Sequence, residues 1–313
     1  MKCKKCPDQA ALKLPRHNTA FCRTHLTDFV RHQVARAIKT QDMFTPENRI
    51  MVAVSGGKDS LVLWEILLQL GYRADALYVD QGIGEYSQTS RQKVERFAEK
   101  IASPRGAKLT IHDVEEEEGA NIPDLANMIR RPTCSACGTV KRYQFNRAAL
   151  QGGYDVMATG HNLDDEAARL LGNVLHWQED YLQKQTPNLP ASMEGFAKKV
   201  KPLYRLTERE IAAYAVVNGI DYIVEECPMS KGAKMLIYKD VLNRLEMESP
   251  GTKQTFYWQF LRKQAKTQAS HASMTETDQS TLHPCTICGQ PTSAETCSYC
   301  KMIARARTFA QQS

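Results

Sequence analysis

No run in this 313-residue sequence reaches the ~20 consecutive uncharged residues that a bilayer-spanning helix needs. The N-terminal MKCKKCPDQA has no apolar core behind its lysines, so no secretion signal is expected, and the reading is a cytoplasmic protein. The Walker A spacing GxxxxGK[ST] is missing, which sets aside the P-loop ATPases and GTPases. No internal repeat is convincing. Acid is scarce in two places. Residues 1–45 carry nine Lys or Arg against three Asp, which accounts for the net charge of +6. From Met128 to Arg147 there is no acid at all, but there are Arg130, Arg131, Lys141, Arg142 and Arg147. Such runs suit an anionic partner such as a nucleic acid, although charge alone is equally met on a solvated surface.

The chain is 42% hydrophobic, enough for an ordinary α/β core with small satellites. Ten cysteines without a secretion signal argue for metals rather than disulfides, because cytosolic thiols stay reduced. They fall into three groups. Cys3-x2-Cys6, fifteen residues, then Cys22-x2-His25 supplies four tetrahedral ligands; so does Cys285-x2-Cys288, eight residues, then Cys297-x2-Cys300. Both read as closed structural zinc sites, one at each end of the chain. Cys134 and Cys137 have only the distant Cys227 to join them. Three thiolates suit a cubane cluster with one iron left open, and spacing by itself also leaves a redox CxxC pair or a zinc site with an outside ligand.

Between the terminal groups, strands and helices alternate as in a doubly wound, mostly parallel sheet. Arg49 to Ser55 is a short β-rich run, Gly56 and Gly57 turn the chain, and a helix starts at Asp59. Further strands are expected at Ala74–Asp80, Lys108–Val114, Tyr154–Gly160 and Asp221–Val224, with helices at Gln88–Ile101 and Arg209–Asn218. Ser55, Asp80 and Gly160 fall at strand ends, where such sheets bind ligands. Glu115–Glu118 reads as a solvated loop. Residues 262–283 are polar and read as a flexible linker. The division is 1–45 for the first zinc module and a basic helix, 46–261 for the catalytic domain, 262–283 for the linker and 284–313 for the second zinc module.

Ser55-Gly56-Gly57-Lys58-Asp59-Ser60 places backbone N–H groups, a helix N-terminus, a lysine and two hydroxyls where they can face phosphate. It resembles the PP-loop of the N-type ATP pyrophosphatases. Cys134-Ser135-Ala136-Cys137-Gly138, Lys141-Arg142-Tyr143, Gly160-His161-Asn162-Leu163-Asp164-Asp165-Glu166, Lys201-Pro202-Leu203, Cys227-Pro228 and both terminal cysteine groups resemble the tRNA 2-thiouridine synthetases of the TtuA group. The resemblance runs over nearly the whole chain and is thinnest in the linker. It implies ATP with Mg2+, adenylation of a uridine C2 oxygen, and a [4Fe-4S] cluster held by Cys134, Cys137 and Cys227 that carries sulfur on its fourth iron. It further implies catalytic Lys141 and Asp165, a ubiquitin-like thiocarboxylate carrier as sulfur donor, and a homodimer. Read without it, Asp164 and Asp165 are open between Mg2+ or proton chemistry and simple helix capping. The rival readings are another PP-loop tRNA-modifying enzyme, such as a cytidine thiolase, and a zinc-ribbon RNA-binding protein. The T-loop and the wobble uridine stay open as targets.

Overall fold

In a computed structural model of the chain, the described residues are 1–191, 195–230, 232, 234–271 and 282–312. A hairpin of β1 (Leu12–Leu14) and β2 (Thr19–Phe21) leads into α1 (Arg23–Thr40). The central part runs β3 (Arg49–Val54), α2 (Lys58–Gln69), β4 (Arg73–Asp80), α3 (Gly84–Phe97), β5 (Leu109–Asp113), α4 (Val114–Glu118), α5 (Ile122–Met128), α6 (Thr133–Gln151), β6 (Val156–Thr159) and α7 (Leu163–Leu175). It continues through α8 (Glu179–Gln183), β7 (Asn188–Leu189), β8 (Lys198–Val200) and α9 (Glu208–Val217) to α10 (Lys234–Glu248) and α11 (Thr252–His271). The strands β9 (His283–Pro284) and β10 (Pro291–Thr292) and helix α12 (Ser298–Gln312) follow.

The six-stranded sheet has the order β5-β4-β3-β6-β8-β7, parallel except for β7 at the edge. Strand alternation divides the interior into two cores. Ile50, Val52, Val54, Ala76, Tyr78, Val156 and Ala158 join α1, α2 and α9 on one face. Met51, Leu77, Val79 and Met157 join α5, α6 and α12 on the other. The N-terminal cysteine module therefore docks on one face of the sheet and the C-terminal one on the opposite face. Because β4 and β6 flank β3, the connections after β3 and β6 diverge to opposite sides. That divergence opens a crevice at the carboxyl edge.

Three sequence expectations change here. Asp221–Val224 is extended coil and not a strand: Ile223 donates its N–H to the Gly56 carbonyl at 2.9 Å and so crosses the glycine turn instead of pairing with the sheet. The sheet is completed instead by β8 and β7, three and two residues long, too short to show a period. Glu115–Glu118 is not a loop but most of α4, capped by the Asp113 carboxylate; Glu115, Glu116 and Glu117 are exposed as expected, while Glu117 pairs with His112 and Glu118 accepts from Tyr299 Oη of the C-terminal cysteine module. The stretch read as a linker is helical through His271, because good helix formers extend a helix already packed at Phe256, Tyr257 and Phe260. Residues 272–281 of that stretch lie outside the described residues.

Candidate functional site

Ser55 closes β3 and Lys58 opens α2. Gly56 must be glycine: its φ is +74°, and a Cβ there would meet the Ser90 carbonyl at 2.7 Å. The loop is pinned by its own serines. Ser60 Oγ donates to the Gly57 carbonyl at 3.0 Å and accepts the Ser55 N–H at 3.1 Å, while Ser90 Oγ donates to the Ser55 carbonyl at 2.7 Å. Across the crevice, Gly160 lies so close that a Cβ would stand 2.9 Å from the Ser60 nitrogen. Gly160 is thus placed by close approach, as its position at the end of β6 suggests.

A chain of opposite charges lines this loop. Lys58 Nζ reaches Asp59 Oδ2 at 3.1 Å and Glu208 Oε1 at 2.6 Å; Lys239 Nζ reaches Glu208 Oε2 at 3.3 Å and Asp165 Oδ1 at 2.6 Å. Asp165 Oδ2 accepts the Asn162 N–H at 3.0 Å, and Asn162 Oδ1 accepts the Asp165 N–H, a reciprocal cap on α7. Asn162 also donates to Asp59 Oδ1 at 3.0 Å, tying the turn after β6 to α2. Burial pushes the Asp59 carboxyl up. Burial acts the same way on Asp165, but Lys239 and His161 outweigh it and hold that carboxyl below its usual range. Asp164 is set apart: it accepts from Lys253 at 2.5 Å and from the Glu208 N–H at 2.9 Å, a structural clamp between α7, α9 and α11. Behind His161, buried Glu166 accepts from Lys201 at 2.8 Å and from Tyr257 at 3.0 Å.

Asp80, at the end of β4, is buried and accepts the Gly82 N–H at 3.1 Å. Its neighbour Gln81 turns the other way and accepts the Cys137 thiol at 3.1 Å. Cys134 is exposed at the start of α6, and its thiol donates to the Met229 carbonyl at 3.2 Å, two residues past Cys227. Burial pushes the Cys137 thiol up; Lys141, one helical turn on, opposes this, and the charges of Cys227 and Cys134 reinforce it. The three thiols and Lys141 are therefore neighbours. Cys137 and Cys227 also act on Tyr86, whose hydroxyl burial already pushes up.

The terminal sets are tighter. Cys3, Cys6, Cys22 and His25, and separately Cys285, Cys288, Cys297 and Cys300, bring four ligand atoms within 4.8 Å of one another, as a single tetrahedral ion requires. His25 offers Nδ1, 3.2 Å from Cys22 Sγ. Among the described residues the central thiols form no such tight group.

Glu208, Lys239, Asn162, Gln81 and Ser90 were not singled out from sequence. Thr207 to Glu210, a capping box at the start of α9, was the one local signal near Glu208. Lys239 carries none, since its site role depends on α10 packing over α7.

A glycine turn from a central parallel strand into a helix, with Lys58 and two serines inside it, defines a PP-loop protein. The model described as "PP-loop domain" matches residues 27–232, and one described as "2-thiouridine synthetase TtuA, N-terminal LIM domain" matches residues 2–27. Two relatives named tRNA-5-methyluridine(54) 2-sulfurtransferase are similar over 96% of this chain. That of Thermus thermophilus is 43% identical with 91% of its own length covered, and that of Thermotoga maritima is 42% identical with 96% covered. The chain belongs to this TtuA family of tRNA 2-sulfurtransferases. The solved structure of the U34-tRNA thiolase NcsA from Methanococcus maripaludis with its [4Fe-4S] cluster shares the fold, with a TM-score of 0.78 at 24% identity over 96% of this chain and 95% of that one.

Proposed function

We propose that the protein uses ATP to replace the C2 oxygen of 5-methyluridine 54 in tRNA with sulfur. One observation carries this reading: a phosphate-type loop and a three-thiol group share one sheet edge. Gln81, next to Asp80 at the end of β4, accepts the Cys137 thiol, and Ile223, on the way to Cys227, is hydrogen-bonded to Gly56 of the loop. Position 54 rests on the names of the relatives that are 42–43% identical.

Ser55, Gly56, Gly57, Lys58, Asp59 and Ser60 hold the ATP phosphates, with Lys58 released to them from Glu208. Asp80 is placed at the second strand end, where doubly wound folds hold a ribose hydroxyl, and Gly160 lets the adenosine approach the backbone. Asp165 balances the Mg2+ that accompanies ATP. The uridine C2 oxygen attacks the α-phosphate and pyrophosphate leaves. Incoming sulfur then attacks C2, AMP leaves with the oxygen, and Lys141 stabilises the negative charge that develops. Cys134, Cys137 and Cys227 would hold an iron–sulfur cluster, which would supply a place for the incoming sulfur to bind. The terminal sets hold two Zn2+ and act as scaffold and docking surface.

A ubiquitin-like thiocarboxylate carrier is the proposed sulfur source. The proposed second copy covers the exposed stripe Ile237, Val241 and Leu245 on α10, four residues apart and so on one helix face. The test is nucleoside mass spectrometry of tRNA incubated anaerobically with the protein, ATP and sulfide, with the modified position mapped. Thiolated position 54 is expected. Thiolation at position 34, or none, contradicts the proposal.

A further inference from the structure

Helix α5 ends just before the Cys134 thiol in a reversed pair of hydrogen bonds, Arg130 N–H to the Asn127 carbonyl at 3.1 Å and Arg131 N–H to the Ala126 carbonyl at 3.0 Å. This C-terminal arrangement requires a left-handed residue at the position of Arg130, whose φ is +53°. The chain ends α2, α6 and α9 with the same pair of bonds and puts Gly71, Gly153 and Gly219 there. Asp42 holds the place after α1, as short polar side chains do, and Trp177 after α7. A long side chain in this conformation costs about 1 kcal/mol or more relative to glycine. Nothing local offsets it. Arg130 is exposed, and among the described residues its guanidinium has no ion pair or hydrogen bond, whereas Arg16, Arg31 and Arg91 each meet a carboxylate.

The surroundings say what the charge faces. Arg131 and Arg142 are exposed too, and Arg142 folds back over Gly138, its Nη1 3.0 Å from where a Cβ would stand. Lys141 and Arg142 both act on the Cys137 thiol, and Arg142 lies near enough to Lys199 to lower that ammonium's pKa after burial has done so. No acid occurs in the sequence between Met128 and Arg147, and of its arginines Arg147 faces Glu117 at 3.9 Å.

We infer that Arg130 is a phosphate-binding residue, which with Arg131 and Arg142 forms a cationic rim gripping the tRNA backbone at the mouth of the three-thiol site. The inference rests on the tRNA reading above and goes further by assigning the surface. A polyanion's phosphates are satisfied by exposed, unpaired guanidiniums, and such contacts position the RNA without reading its sequence.

Arg130→Gly separates strain from charge, since it relieves the first while deleting the second. The experiment measures the thermal midpoint and the affinity for an unmodified tRNA transcript at several salt concentrations, for wild type, Arg130→Gly and Arg130→Lys. Arg130→Gly is expected to melt at or above wild type. Its tRNA binding should weaken roughly five- to eightfold at about 0.1 M salt, and the slope of log affinity against log salt should fall by about 1. Arg130→Lys should keep the wild-type slope. Unchanged affinity and slope in Arg130→Gly overturn the assignment, and so does a lower thermal midpoint, which would make Arg130 structural. Wild-type protein that does not bind the tRNA transcript at any of these salt concentrations overturns the tRNA reading itself, a result distinct from the other two.

Discussion

Lys58 divides its ammonium between Asp59 and Glu208, and Lys239 divides its own between Glu208 and Asp165, so one carboxylate links both cations of the site. Phosphate entering the loop competes with Glu208 for Lys58. Lys58→Ala should therefore weaken ATP binding by about 1.5–3 kcal/mol, roughly 10- to 100-fold, as the loss of a charged hydrogen bond does. Iron content should not change, because Lys58 touches no thiol. Calorimetric titration with ATP, beside iron analysis, checks both. Lys239→Met leaves the half-buried Asp165 without its cation. It should lower the tRNA-dependent ATP/pyrophosphate exchange rate more than tenfold, and Lys239→Arg should restore part of it, whereas a purely structural lysine would show as a lower thermal midpoint with normal exchange. At this scale the sequence displayed the loop, the ligands and the aspartates, because each sits in a short contiguous motif. It could not display Lys239 or Gln81, whose roles exist only once α10 lies on α7 and α6 lies beside the end of β4.

Helix α10 is seated by a notch: a Cβ on Gly172 of α7 would stand 2.8 Å from the Tyr238 ring. The neighbouring residue along α10 is Lys239. Gly172→Val should push α10 outward and reproduce the exchange defect of Lys239→Met while sparing the loop itself, which ATP-dependent thermal stabilisation of the variant would reveal. Elements with strong local signals were legible: β3, β4, β5 and β6, the helices after β3 and β4, and α9, whereas α5, α6 and α7 were not read from the sequence. The failures share one cause, competition from tertiary contact. Asp221–Val224 has strand residues, but its backbone is used by Gly56; the acidic run of α4 looks solvated, but its last residue receives Tyr299; and the polar tail of α11 lacks a core of its own, but inherits a helix from residues that have one.

Across the whole molecule, each terminal cysteine module is fastened to its own face of the sheet. Arg16, just after β1, forms a buried pair with Glu210 of α9 at 2.5 Å and also donates to Gln254 of α11 at 2.7 Å. Arg16→Ala leaves Glu210 buried without its partner, and should destabilise by about 3–5 kcal/mol, read as a lower thermal midpoint. On the opposite face, the Tyr143 and Tyr299 rings stack at 3.6 Å and bring α12 onto α6, the helix that bears Cys134 and Cys137. At the carboxyl edge of the sheet, ATP activation and sulfur delivery are proposed for separate residue sets. The most direct test of that division is Cys227→Ser, reconstituted anaerobically and measured for iron, ATP affinity and thiouridine formation together. The account predicts lost iron and lost thiouridine with wild-type ATP affinity. Full thiolation with iron retained would contradict it, and would return Cys134 and Cys137 to the reading of a redox pair.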